Sequence, residues 1–150
     1  MLQVELATAQ DIPAMCALLT QLFSQEAEFQ PDWQAQSRGL QRIIDDPGCG
    51  LILVLRQMQT AQVVGMVNLL FTVSTALGER VALLEDMIID QHHRQSGAGA
   101  QLLQAGIERA REQGCRRITL LTDEDNLRAQ QFYGRQGFTV STMKPMRLML

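Results

Sequence analysis

The chain has 150 residues, 46% of them hydrophobic, which fits one globular domain able to bury roughly two thirds of its unfolded surface. Its formal charge of -3 and pI near 5.3 exclude the sequence-wide basic field with which proteins hold nucleic acid phosphates. No basic region leads into a long apolar stretch, and no segment approaches the ~20 apolar residues that span a bilayer, so a soluble, cytoplasmic protein without a membrane partner is expected.

In chain order, Gln3 to Ala7 alternates polar and apolar residues as a half-buried strand does. Thr8 caps a helix, with Asp11 in reach of the free N–H groups of its first turn. Ile12, Met15, Cys16, Leu19, Leu22 and Phe23 follow the helical period, and that helix ends near Gln25. A second helix is predicted between Trp33 and Ile44, closed by the turn residues Asp46, Pro47 and Gly48. Leu51 to Arg56 and Gln62 to Val73 are β-rich runs joined by a short polar connection, the pattern of an antiparallel hairpin. Arg80 to Asp90 is a third run. A helix from about Gly97 to Gln113 follows, with Leu102, Leu103, Ile107 and Ala110 on one face and Gly114 as its stop. Arg116 to Thr122 reads as a strand and Asn126 to Gln136 as a helix. Two closing strand-like runs, "FTVSTM" and "MRLML", complete the chain. The class is α/β with a mixed sheet. Cys16, Cys49 and Cys115 are odd in number, far apart and free of any C-x-x-C pairing, and read as buried reduced thiols.

Gly97 and Gly99 stand where the third β run hands over to a helix. Glycine there is about 1 kcal/mol worse than alanine, so something should approach the backbone closely. Unpaired N–H groups and the helix dipole make such a turn a phosphate site when side chains stay clear. A tight turn with close helix–sheet packing is the alternative. The nucleoside triphosphate loop is excluded because Gly99 is followed by Ala100 and Gln101, not by Lys and Ser or Thr. The dinucleotide fingerprint is excluded because Leu102 occupies the place of its third glycine.

What remains, R-x-x-G-x-G from Arg94 to Gly99, resembles the pyrophosphate-binding segment of the GNAT superfamily, the acyl-CoA-dependent N-acetyltransferases. A second segment is similar to that superfamily's later motif, N-x-x-A-x-x-F-Y-x-x-x-G-F, with Asn126, Ala129, Phe132, Tyr133, Gly137 and Phe138 in matching places. The resemblance covers the C-terminal half closely and the N-terminal half only in element order. Many members carry a proline ahead of the phosphate turn, where this chain reads Asp90-Gln91-His92-His93, and the two histidines read as loop residues. The resemblance implies a single-domain GNAT-like fold, with about six to seven strands in a mixed central sheet flanked by about four helices.

It also implies acetyl-CoA as acyl donor, with no metal. The implied cofactor-binding residues are the central-strand positions Met87, Ile88 and Ile89, the turn residues Arg94, Gln95, Ser96, Gly97, Ala98, Gly99 and Ala100, and Asn126, Ala129 and Phe132. An alkyl amine is neutral in only roughly one molecule in a few thousand at pH 7, and only that form attacks a thioester, so a general base is useful. The departing thiolate, with a free pKa of about 8.5, leaves more easily if an acid protonates it. By resemblance the acid is Tyr133, the alternative being a tyrosine packed on Phe132 in the core. Glu85 is the favoured base, because a carboxylate inside "ALLEDMIID" is costly unless it lines a cavity; a paired structural carboxylate is the alternative. Asp86 is the second candidate, expected on the opposite strand face. The acceptor site is expected along Phe23 to Trp33, where Glu26, Glu28 and Asp32 would draw a cationic amine. The expected reaction is acetyl transfer to a small-molecule or peptide amine; the alternative is an acyl-CoA-binding sensor or regulatory module without turnover. Exposed late strands are compatible with a homodimer.

Overall fold

A computed structural model describes residues 1–94 and 97–150. Five strands form one sheet in the order β1-β2-β3-β4-β5: β1 (Leu2–Leu6), β2 (Gly50–Gln57), β3 (Gln62–Ser74), β4 (Glu79–Ile89) and β5 (Ile118–Leu120). The first four are antiparallel neighbours, and β5 runs parallel to β4. A parallel pair needs a crossover, and α3 (Ala98–Glu112) supplies it. The remaining helices are α1 (Ile12–Gln25), α2 (Trp33–Asp45) and α4 (Leu127–Arg135).

The unbroken apolar run of β2 is explained by burial on both faces. Leu53 and Leu55 pack with Val67, Leu69, Leu102 and Leu103 on the α3 side. Ile52 and Val54 pack with Met15, Leu19, Leu40 and Met66 under α1 and α2. The entry to α1 is fixed as its sequence predicts, with Thr8 N–H donating to Asp11 Oδ2 at 3.0 Å. Asp11 is 6% exposed and receives Arg56 Nη2 at 2.8 Å, while Arg56 Nε binds Glu5 Oε2 at 2.9 Å. Burial works against the charged form of Asp11, but Arg56 and Thr8 outweigh it and hold its carboxyl below the usual range.

The sheet has five strands among the described residues, not six or seven, because the two closing runs form none. Their apolar residues favour extended backbone, yet a strand also needs a neighbour with free ladder groups, and β5 is only 3 residues long. Val140, Met143, Met146, Leu148 and Met149 therefore stay exposed. The tail is fastened by Arg147, which pairs with Glu28 and lies 5.6 Å above the Phe29 ring. Cys16 and Cys115 are buried free thiols as expected, whereas Cys49 is exposed in the turn before β2. No helix among the described residues is long and apolar enough to cross a membrane.

Candidate active site

Two irregularities of β4 create the site. The β3–β4 register pairs Asn68 with Asp86 but Leu69 with Leu84, leaving Glu85 as the extra residue of a β-bulge. On the other side, β5 pairs only with Ala82 to Leu84, so the edge of β4 from Glu85 onward has no strand neighbour among the described residues. Backbone groups there need other partners; Arg94 Nε takes one, donating to Ile89 O at 2.9 Å.

This edge opens on a cavity of about 1020 Å³ that gathers most of the residues singled out in the sequence. Glu85, Met87, Ile88, Ile89 and Arg94 line it from β4 and the following turn, and Gly99 lines it from the start of α3. Asn126, Ala129, Phe132 and Tyr133 line it from α4. Gly97, Ala98 and Ala100 are not in its wall, and Gln95 and Ser96 lie outside the described residues.

The glycine turn has two separate structural reasons. Gly97 is the N-cap of α3 at φ +76, a left-handed conformation that other L-residues enter at a cost, and no side chain caps the helix there. Gly99 is needed for space: a Cβ on it would lie 3.3 Å from Phe132 Cζ. What approaches this backbone is thus the Phe132 ring, and the close-packing alternative accounts for Gly99. Ahead of the glycines, Asp90 organises the turn. Its Oδ2 accepts His92 N–H at 3.1 Å and stands 3.3 Å from His93 Nδ1, and its Oδ1 accepts from Gln21 Nε2 at 3.0 Å. Asn126 acts as the N-cap of α4, its Oδ1 accepting Ala129 N–H at 3.1 Å.

The bulge also changes the sidedness expected for the two strand carboxylates. Glu85 and Asp86 do not face opposite ways: both line the large cavity, and both also line a second one of about 360 Å³ between α1, α2 and β3. An extra residue in one strand breaks the period-two alternation at this point. Glu85 is exposed at the bulge, while Asp86 is more enclosed and accepts from Asn68 Nδ2 at 3.0 Å. Burial, with a smaller push from Glu85, raises the Asp86 pKa to about 6 against the opposing Asn68 hydrogen bond. Glu26, at the end of α1, is raised to about 7 by burial first and then by Asp86, Asp123, Glu85 and Glu28. Burial raises Tyr133 to about 12; its ring stacks edge-on with Phe132 at 5.2 Å and Phe138 at 5.6 Å. Its core role and its place in the cavity wall therefore coexist.

Sequence reasoning missed Asn68, although a signal was there: it is the one polar residue in the run Val63 to Leu70. It also missed Asp123, Glu124, Lys144 and Arg147 in the cavity wall, which sit in charged loops without periodicity.

The chain matches the model of the acetyltransferase (GNAT) family over residues 12–138. It is 28% identical over 135 residues to the aminoalkylphosphonate N-acetyltransferase of Salmonella typhimurium (strain LT2), covering 90% of this chain and 83% of that one. It is 29% identical over 90 residues to an uncharacterized N-acetyltransferase of Bacillus subtilis (strain 168), covering 60% of each, so the chain spans less than two thirds of that relative. The crystal structure of a Trypanosoma brucei acetyltransferase superposes with a TM-score of 0.78 at 24% identity over 100% of both chains, a likeness of fold. With the strand edge, the glycine turn and the α4 motif converging on one cavity, the family match is consistent along most of the chain, which belongs to the acetyltransferase (GNAT) family.

Proposed function

We propose that the protein transfers the acetyl group of acetyl-CoA to a primary amine. The observation that carries this reading is the bare edge of β4 beyond Leu84, which opens beside Tyr133 on a cavity reaching Gly99 of α3. The residues present fit the donor. An extended amide-bearing arm can pair with an open strand edge as an added strand does, and a diphosphate suits the uncapped N-terminus of α3, where no acidic residue sits in the first turn. Arg94 and Arg128 in the same wall add positive charge. The name of the Salmonella relative, which includes an amine in its substrate, agrees with an amine acceptor.

Acetyl-CoA supplies the acetyl group as a thioester, whose carbon an amine attacks and whose sulfur departs. The Glu85–Asp86 pair does the proton removal. Asp86 holds the incoming proton, because its enclosed carboxyl has the higher affinity that burial confers, and Glu85 beside it keeps the field negative for a cationic amine. The strand edge from Met87 to Ile89 offers fixed backbone N–H groups toward developing negative oxygen. Tyr133 keeps its proton throughout the working range. At about 12 its pKa lies above the roughly 8.5 of a thiol, so it stabilises the departing sulfur chiefly by donating a hydrogen bond.

A free-thiol assay with acetyl-CoA across amine classes tests this. Thiol release that saturates in one amine class is expected. Acetyl-CoA binding at micromolar concentration with no release from any class would reject acetyl transfer and leave a binding module.

A further inference from the structure

We propose that Asn68 is the residue that selects the acceptor: its side-chain oxygen takes an N–H of the acceptor's ammonium beside Asp86, in a cavity that favours amines without an anionic group. This inference rests on the acetyl-transfer reading for its chemistry, but its binding test stands apart from turnover.

The second cavity meets the first only at the bulge, since Glu85 and Asp86 are the residues that line both. A molecule filling it therefore reaches the carboxylates from the side away from α4. Its wall combines aliphatic and aromatic side chains such as Leu19, Phe23, Leu40 and Leu70 with a few polar ones. At about 360 Å³ it suits a small molecule.

The polar atoms that Gln36 brings to that wall, and one oxygen of Asp32, are already used by the fold. Gln36 Nε2 donates to Cys16 O at 3.0 Å, and Gln36 Oε1 accepts Asp32 N–H at 2.8 Å. Asp32 Oδ1 accepts Ala35 N–H at 3.1 Å as the cap of α2. Asn68 differs. It is 3% exposed, its Nδ2 is committed to Asp86 Oδ2 at 3.0 Å, and its buried Oδ1 has no hydrogen-bond partner among the described residues. Buried polar groups of folded proteins are almost always paired, so an oxygen left over beside a carboxylate calls for a donor. An alkylammonium has three N–H groups; one can go to Asp86 and one to Asn68 Oδ1.

The charge of the wall sets the rest of the ligand. Asp32, Glu85 and Asp86 line it, and no Lys, Arg or His does among the described residues. A carboxylate or phosphate on the acceptor would enter apolar and anionic surroundings without a counter-charge, which is costly. The substrate class is thus a primary amine on an apolar or cationic body.

The test is a titration of the ¹⁵N-labelled full chain with n-butylammonium and, separately, 4-aminobutanoate, which has the same chain length and amine but adds a carboxylate. Saturable shifts of the Asn68 side-chain amide and the Asp86 backbone amide are expected with n-butylammonium, and at least tenfold weaker binding with 4-aminobutanoate. Asn68→Leu keeps the volume and removes the acceptor, so n-butylammonium binding read at Asp86 should weaken on the order of tenfold. Equal binding of both ligands, no shift with either, or undiminished binding in a folded Asn68→Leu overturns the proposal; if that variant does not fold, the wild-type pair of titrations decides alone. Thiol release from acetyl-CoA is measured in parallel. Amine-specific shifts without thiol release would sink acetyl transfer while the ammonium site stands, and thiol release without discrimination between the two amines would do the reverse.

Discussion

Asn68 Nδ2 donates to Asp86 Oδ2 at 3.0 Å across the β3–β4 ladder, immediately beside the point where the register slips. The bulge at Glu85 and this bond act together. The slip turns two adjacent carboxylates toward the same cavities, and the amide fixes the more enclosed one. One asparagine on the buried β3 thereby holds a partly desolvated carboxylate on β4, at the place where β4 parts from β5.

The raised Asp86 pKa makes a statement about stability. Its carboxyl binds protons more tightly folded, at about 6, than at the ordinary aspartate value of 3.8. Between those values the native state holds more protons than the unfolded one, so this group's contribution to stability falls as pH rises through that window. Asp86→Asn should be nearly neutral below about pH 4 and stabilising above about pH 6, by on the order of 2 kcal/mol. Denaturant melts of both proteins at pH 4 and pH 7.5 check it; a pH-independent difference would place Asp86 in an ordinary environment.

Tyr133→Phe keeps the edge-on contacts with Phe132 and Phe138 and removes only the hydroxyl. Stability should change by less than about 1 kcal/mol, while turnover falls by a factor on the order of 10² to 10³, the usual worth of a fixed hydrogen-bond donor to a developing negative charge. An acyl donor with a more acidic thiol should recover part of the loss. Unchanged turnover with acetyl-CoA would assign the tyrosine to packing alone.

The order of elements was legible because each has a strong local signal, and the same locality explains what was not. Leu51 to Arg56, Gln62 to Val73 and the α3 periodicity lie within the observed elements or overlap nearly all of them. "MRLML" has the composition of a strand but pairs with no strand of the sheet, an outcome that depends on tertiary neighbours and that no local pattern reveals. Glu85 and Asp86 were assigned opposite faces by the period of two, which a bulge breaks without altering composition. The cavity residues of α4 were found through the resemblance of a whole motif, whereas Asn68 belongs to no motif and needed the ladder register to acquire a meaning.

Arg56 joins three segments: Asp11 before α1, Glu5 of β1, and Ala61 O in the β2–β3 turn, which accepts Nη1 at 3.0 Å. Arg56→Met would strand the buried Asp11 carboxylate, at a cost of roughly 3 kcal/mol near pH 7. Asp11 is held below its ordinary value, so its stabilising share is present above that value and lost as pH falls through the lowered one. The variant's deficit should therefore shrink near pH 3, and Asp11→Leu added to Arg56→Met should restore much of it. Melts across pH read both; a deficit that stays constant to pH 3 would show that packing of the Arg56 stem dominates.

The two glycines of the α3 turn should respond differently to substitution because their constraints differ. Gly97 sits at φ +76 with open space around a built Cβ, so Gly97→Ala meets backbone strain and little else, a loss of about 1 kcal/mol. Gly99 has helical backbone, but its Cβ would press on Phe132, which adjoins Tyr133. Gly99→Ala gains helix propensity of up to about 1 kcal/mol, offset by the 3.3 Å contact, and should be near neutral in melting temperature. Gly99→Val is too large for that gap, and the Phe132 ring must move, carrying the α4 wall of the cavity with it. Its turnover at saturating acetyl-CoA should fall by at least tenfold, more than its loss of stability would explain, whereas Gly97→Ala should melt earlier and raise the KM for acetyl-CoA, its Cβ standing at the N-cap where the diphosphate is proposed to lie, with saturated turnover nearly intact. Melting curves and thiol-release rates on the three variants decide the matter: equal turnover in Gly99→Val and wild type would mean that the ring is free to shift without disturbing Tyr133, and would separate the glycine turn from the chemistry of the cavity.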